Sequence, residues 1–208
     1  MTLTDALALL TPAIPDGTVC IHANGHIGRA GCAARDRDEC FYMIGSMGLA
    51  SSIGLGVALV QPHRRVLVLD GDGNLLMNLG ALATIAAARP PNLLHVCFDN
   101  GAHASTGGQP TVSDRVPLDE VARAAGYRFV GRVETRAALA AEAPAFLARE
   151  GPAFLLVRIA LGPPGPPAPR IPHAPETMTA RVRRALGVPS DSEVPSDREV
   201  PSDSEGGR

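Results

Sequence analysis

Two short polar turns carry the residues best suited to chemistry. The run Val66-Leu-Val-Leu-Asp-Gly-Asp-Gly-Asn74 passes from a continuous apolar stretch into an acidic turn flanked by glycines. A second apolar run, beginning at Leu93, ends in Asp99-Asn100. If both runs are parallel strands of one sheet, their turns share an edge. Asp72 and Asn100 then present oxygen donors to one point, although 26 residues separate Gly73 from Asn100. Hard oxygen donors suit Mg2+, which keeps waters and commonly completes its shell with phosphate oxygens. Gly71 and Gly73 omit side chains where backbone must come close to a ligand. The first turn of the following helix offers free N–H groups to an anion.

A Gly-Asp-Gly turn beside an apolar run is on its own often no more than a turn. The strand–helix–strand frame and the asparagine at the next strand end are what make it a candidate site. A dinucleotide fingerprint is the rival, but its third glycine is missing, since position 76 is Leu. An acid between the glycines also repels a pyrophosphate unless a metal bridges the two. A metal-bridged diphosphate fits best.

The elements that must position these turns are legible over residues 1–161. Thr18–Ile21, Val66–Asp70, Leu93–Asp99 and Phe154–Ala160 are apolar runs of the kind that fill a doubly covered parallel strand. Gly48–Val60, Leu75–Ala88, Leu118–Ala125 and Thr135–Arg149 read as helices between them. Arg89-Pro90-Pro91 stops the second helix and Gly126 caps the third. Alternating strands and helices predict an α/β fold, a doubly wound parallel sheet with helices on both faces. Right-handed crossovers place every strand-to-helix loop on one edge, where a ligand belongs.

Beyond this body, Gly162 to Pro175 holds seven prolines and reads as an extended connector, followed by a short Arg-rich helix over Glu176–Leu186. Within residues 188–208, Val188 to Glu205 are three copies of a six-residue unit, beginning with Val188-Pro-Ser-Asp-Ser-Glu193. So polar a repeat cannot bury a core, and a disordered tail is expected. The organisation is thus a domain over 1–161, a connector with a helix over 162–187, and the tail.

Composition excludes several classes. All 19 basic side chains are arginines. Without lysine the chain builds neither a Schiff-base nucleophile nor a Walker-type phosphate loop. A net charge of −2, no Trp and two Tyr give no basis for nucleic acid as a partner. No apolar run reaches the roughly 18 residues that span a bilayer, and Met1 to Pro15 shows no signal peptide. Cys20, Cys32, Cys40 and Cys97 form no CxxC pair and show no metal-like spacing with histidine, so reduced thiols in a cytoplasmic protein are expected.

The motif extends into longer matches. Phe41-Tyr-Met-Ile-Gly-Ser-Met-Gly-Leu-Ala-Ser-Ser-Ile-Gly54, Asp70-Gly-Asp-Gly-Asn-Leu-Leu-Met-Asn-Leu-Gly80 and Asp99-Asn-Gly-Ala-His-Ala-Ser-Thr-Gly-Gly-Gln109 resemble the thiamine-diphosphate-dependent phosphonopyruvate and sulfopyruvate decarboxylases. The resemblance covers roughly residues 15–160. It implies a thiamine-diphosphate-binding fold with thiamine diphosphate and Mg2+ as cofactors. By the same resemblance, Asp72, the Asn100 side chain and the Ala102 carbonyl hold the metal. Gly71, Gly73 and Asn74 lie against the diphosphate. Gly45, Ser46 and Met47 serve the aminopyrimidine side, with Met47 as the apolar wedge that bends the cofactor and the Gly45 carbonyl as a hydrogen-bond acceptor.

The family also uses a glutamate on a separate pyrimidine-binding domain, for which this body has no room. The expectation is therefore the diphosphate-binding subunit of a two-subunit enzyme, in a heterodimer or higher hetero-oligomer with a pyrimidine-binding alpha subunit that supplies that glutamate. The resemblance implies a small anionic 2-keto acid as substrate, 3-phosphonopyruvate first, giving phosphonoacetaldehyde and carbon dioxide, with sulfopyruvate as the alternative. An acetolactate synthase-like carboligase and a non-catalytic cofactor-binding partner are further alternatives. Arg29, in Asn24-Gly-His-Ile-Gly-Arg29, stands where the family has a Gly-x-x-Ser-Arg loop and is the candidate for the substrate anion, or else a surface or interface arginine. His103 and Ser105-Thr106 follow the metal loop as proton or hydrogen-bond donors, or as structural groups. His22 and His26 read as structural.

Overall fold

The computed structural model describes residues 1–162 and 168–189; the repeat from residue 190 onward and part of the proline-rich connector lie outside them. The elements in chain order are α1 (Leu3–Leu10), β1 (Val19–His22), α2 (His26–Ala34), β2 (Cys40–Tyr42), α3 (Ala50–Val60), β3 (Val66–Gly71), α4 (Asp72–Leu76), α5 (Ala81–Ala88), β4 (Leu93–Asp99), the two-residue strands β5 (Ala102–His103) and β6 (Gln109–Pro110), α6 (Leu118–Ala125), β7 (Phe129–Val133), α7 (Arg136–Ala148), β8 (Ala153–Arg158) and α8 (Pro175–Ala185). Among the described residues one sheet has six strands in the order β2-β1-β3-β4-β8-β7, every pairing parallel. β5 and β6 form a separate antiparallel hairpin.

The central strands are apolar on both faces because both faces are covered. Leu67 and Leu69 of β3 enter a core with Leu7, Leu10 and Phe146 of α1 and α7. Val66 and Val68 enter a second core with Leu55, Ile85 and Ala122 of α3, α5 and α6. The doubly wound α/β architecture is the expected one. Each fully buried Leu or Phe of these layers contributes about 1.5–3 kcal/mol. No helix among the described residues is long and apolar enough to cross a membrane.

Three differences from the sequence reading matter. The helix expected over Leu75–Ala88 starts three residues earlier, inside the Gly-Asp-Gly motif, and breaks over Met77–Gly80 into α4 and α5. Asn78 leaves the helical path there and donates to Ser52 Oγ at 3.3 Å. Second, α1, α2, β2 and β7 are elements the sequence reading lacked. Third, α8 is no detached unit. Met178 and Val182 are buried against the body, and Arg181 pairs with Asp36 and Asp38 beside β2.

The chain runs from β1 outward to β2, then crosses back to β3 on the other side of β1. That reversal is a topological switch point, and the crevice outside the strand ends there is where an open α/β sheet binds its ligand.

Candidate active site

A cleft of about 800 Å³ opens at this switch point. Its walls include Asn24 after β1, Asp72 and Gly73 after β3, and Asn100, Ala102 and His103 after β4. The sheet thus brings the two turns singled out in the sequence to one edge, as β3 and β4 pair in register from Val66 and Leu93 to Gly71 and Phe98.

Three carboxylates sit at these strand ends, and their partners set them apart. Asp70 is fully buried and accepts from the Gly71 N–H at 2.8 Å and from Asn74 Nδ2 at 2.6 Å. Its other oxygen lies 3.1 Å from His95 Nε2. Asp99 accepts from Gly101 N–H and from Ser113 Oγ, and pairs with Arg158. Asp72 is 3% exposed and accepts from Thr111 Oγ1 at 2.7 Å. It alone of the three has no basic partner among the described residues. Burial pushes the Asp72 carboxyl up, the Thr111 hydrogen bond opposes that, and the charge of Asp99 adds to it. A divalent cation beside Asp72 would supply the compensation missing from the protein.

Asn74 is spent on holding the motif together. Its Nδ2 donates to Asp70 while its Oδ1 accepts from the Gly48 N–H at 2.8 Å. That second bond fixes the loop carrying Gly45, Ser46 and Met47. Ser46 and Gly48 both adopt left-handed backbone, with φ of 53° and 101°. For a serine this conformation costs on the order of 1–3 kcal/mol and is held only where the surroundings dictate it. The two reversals bring Met47, lying between them, to the cleft wall. The Gly45 carbonyl takes a long bond of 3.5 Å from Asn24 Nδ2, with a lone pair to spare.

The Asn100 Oδ1 accepts from the Ala102 N–H at 3.0 Å, turning the chain into the β5–β6 hairpin. That hairpin lays His103 over the motif. A Cβ at Gly73 would stand 2.4 Å from His103 Nδ1, so glycine is required for the ring to lie there. The residues proposed for metal and diphosphate therefore converge on the cleft. Arg29 does not join them. Its neighbours His26, Ile27 and Ala30 on α2 line the cleft, whereas Arg29 is absent from the wall. The sequence reads His26 as structural, and it does not point to Thr111, Ser113 or the Asp70–His95 pair. Only the apolar run around His95, with one histidine in a buried strand, offered a signal for any of these.

The donor chemistry fits thiamine diphosphate with Mg2+. There is a buried carboxylate without a cation, a carboxamide and a backbone carbonyl nearby, and glycine backbone at the point of closest approach.

The description "Thiamine pyrophosphate enzyme, C-terminal TPP binding domain" matches residues 29–157. A phosphonopyruvate decarboxylase of Streptomyces hygroscopicus is 50% identical over 125 residues, 60% of this chain and 31% of that protein. The sulfopyruvate decarboxylase subunit beta of Methanothermobacter thermautotrophicus is 46% identical over 145 residues, 68% of this chain and 77% of that subunit. Among solved structures, the thiamine diphosphate-dependent 4-hydroxybenzoylformate decarboxylase of Rhodococcus jostii superposes with a TM-score of 0.61 at 19% identity, over 77% of this chain and 33% of that one. The chain thus spans about a third of the length of the phosphonopyruvate decarboxylase it matches.

Proposed function

The chain belongs to the thiamine pyrophosphate enzymes through their C-terminal TPP-binding domain, and from that premise we propose that it is the diphosphate-binding subunit of a two-subunit 2-keto acid decarboxylase. The observation that carries this reading is the buried Asp72, which has no basic partner among the described residues and lines the switch-point cleft together with Asn100. Asp72, the Asn100 side chain and the Ala102 carbonyl would hold Mg2+. Gly71, Gly73 and the Asn74 backbone would lie against the diphosphate, leaving the Asn74 side chain to its partners Asp70 and Gly48. Met47 would support the cofactor from the apolar side, with Ser46 and Gly45 beside it. Bound there, thiamine diphosphate supplies an electron sink for the pair left behind when carbon dioxide departs.

The protein's own share is orientation and proton handling. Thr111 holds the Asp72 carboxylate in one rotamer through its 2.7 Å hydrogen bond. His103, which lies on Gly73, would deliver the proton that releases the aldehyde. No arginine lines the cleft, and His26 and His103 are its only basic side chains among the described residues. They, rather than Arg29, are the groups of this chain that would meet an acidic head group. The substrate read from the relatives is 3-phosphonopyruvate, converted to phosphonoacetaldehyde; sulfopyruvate is the second reading, favoured by the separate beta subunits among the relatives.

The same subunit organisation supports a pyrimidine-binding alpha partner that brings the missing glutamate. The free cysteines accord with a cytoplasmic setting. The test is direct. The chain is purified with and without a co-expressed pyrimidine-binding subunit, and aldehyde release from phosphonopyruvate and sulfopyruvate is measured with Mg2+ and thiamine diphosphate present. Activity is expected only in the mixture, and faster on the phosphonate. Robust turnover by the chain alone would refute the two-subunit reading.

A further inference from the structure

Away from the cleft, at the β1–β2 end of the sheet, three soft donors meet. Cys20 and His22 are two residues apart on β1 and so share one face of the sheet. Parallel pairing sets Cys20 beside Cys40 and His22 beside Tyr42. The Cys20, His22 and Cys40 donor atoms all lie within 4.8 Å of one another, and all three residues are buried. Spacing along the chain hides the cluster, because Cys40 reaches it only through strand pairing.

The histidine has no other employment. His22 is 3% exposed, yet neither ring nitrogen has a hydrogen-bond partner. Buried polar groups in native structures are nearly always satisfied, and an unsatisfied imidazole calls for a ligand. Its ring is seated with care. The Tyr42 ring lies 4.7 Å away, centroid to centroid, and a Cβ at Gly31 would stand 2.2 Å from His22 Nδ1. The thiols make only long bonds to backbone, Cys20 donating to the Thr18 carbonyl at 3.7 Å and Cys40 to the Arg35 carbonyl at 3.9 Å, and Cys20 also accepts from Arg37.

We propose that Cys20, Cys40 and His22 form a three-coordinate site for a soft metal ion, with monovalent copper as the ion it fits best. Bonds of about 2.3 Å to sulfur and 2.0 Å to nitrogen set donors in a trigonal plane roughly 3.7–4 Å apart. Thiolate and imidazole together select copper(I) or zinc among common ions. Coordination number separates those two: structural zinc is almost always four-coordinate, and no fourth Cys, His, Asp or Glu donor joins these three among the described residues. Arg37, with Nη2 3.4 Å from Cys20 Sγ and Nη1 3.8 Å from Asp16, places positive charge beside the thiolates. Metal binding releases the thiol protons and clamps β1 to β2. Asn24, on the cleft wall, follows His22 by two residues, so the clamp would brace that side of the cleft.

The experiment uses the full chain, purified under reducing, oxygen-free conditions and offered one equivalent of copper(I) or of zinc before desalting. One copper per chain is expected to remain, with X-ray absorption showing two sulfur scatterers and one nitrogen, and with a raised melting temperature. Cys20→Ser and Cys40→Ser should each lower retention at least tenfold, while Cys32→Ser, outside the triad, retains the metal. His22→Gln reads the remaining donor and covers the case in which a cysteine variant fails to fold. Zinc kept in place of copper with the same variant pattern upholds the site and overturns the choice of ion. Binding indifferent to Cys20 and Cys40, or a Cys20–Cys40 disulfide formed in its stead, overturns the proposal.

Discussion

At the scale of single residues, the proposed metal end of the cleft depends on hydrogen bonds that orient the ligands as much as on the ligands. Asp72→Ala removes the one carboxylate proposed for Mg2+, and calorimetry should then detect no Mg2+-dependent binding of thiamine diphosphate. Thr111→Val is the finer probe. It leaves Asp72 in place and removes the bond that fixes its rotamer. Losing such an outer-shell partner typically costs about 10–100-fold in metal affinity, so the Mg2+ concentration for half-saturation should rise by that factor with the fold intact. Asp70 behaves differently. It is buried and serves Gly71, Asn74 and His95 at once. Asp70→Ala leaves those groups unsatisfied and should lower stability by about 3 kcal/mol or more. For a body of this size that is a fall of roughly 6–12 °C in Tm, read by calorimetry. The sequence made Asp72 and Asn100 legible because an acid between glycines and an asparagine at a strand end are unusual at those places. It did not distinguish the work of Asp70, since an aspartate ending an apolar run looks alike whether it meets a ligand or a histidine. Nor did it reveal Thr111, whose bond to Asp72 spans 39 positions.

At the scale of elements, strands buried on both faces were the readable ones. β3, β4 and β8 are continuous apolar runs because both sheet faces are covered. The edge strands escaped notice for the converse reason. β2 has only three residues, and β7 carries a glycine and an exposed arginine. α2 was hidden by two glycines in nine residues, which lower helix propensity and are tolerated because the helix packs closely on β1. α1 was legible in principle, through the reciprocal Thr2–Asp5 capping box. The helix α8 was legible as a short Arg-rich stretch, but not its packing along β2, where it covers an edge otherwise open to pairing with another chain. Met178 is 2% exposed there. Met178→Ala should cost about 2–5 kcal/mol of local packing. Amide exchange in Cys40–Tyr42 should then accelerate while the β3–β4 amides keep their protection; uniform protection throughout would show that α8 contributes nothing to the edge.

At the scale of the whole molecule, the surface beside the cleft bears on the proposed partner. Ile44, Leu49 and Met77 are 63%, 42% and 61% exposed. Met77 lies against the loop around Met47, since a Cβ at Gly48 would stand 3.0 Å from its side chain, and Ile44 and Leu49 flank that loop in sequence. Scattered exposed apolar residues are ordinary, but several large ones on and against a loop whose Met47 lines the cleft point to an interaction surface. The loop carries left-handed backbone at Ser46 and Gly48 and is tied by Asn74 to the Gly-Asp-Gly helix, so it is joined directly to the proposed diphosphate site. A pyrimidine-binding subunit seated on this patch would close the cleft over the half of the cofactor that this chain leaves uncovered. Met77→Glu places a charge in the patch without touching Asp72, Asn100 or the buried cores. It should leave the melting temperature of the isolated chain within about 1–2 °C, as surface changes do, while abolishing co-elution with the partner and the activity that depends on it. Undiminished association of the Met77→Glu chain would place the partner on another face and separate the apolar patch from the assembly of the active site.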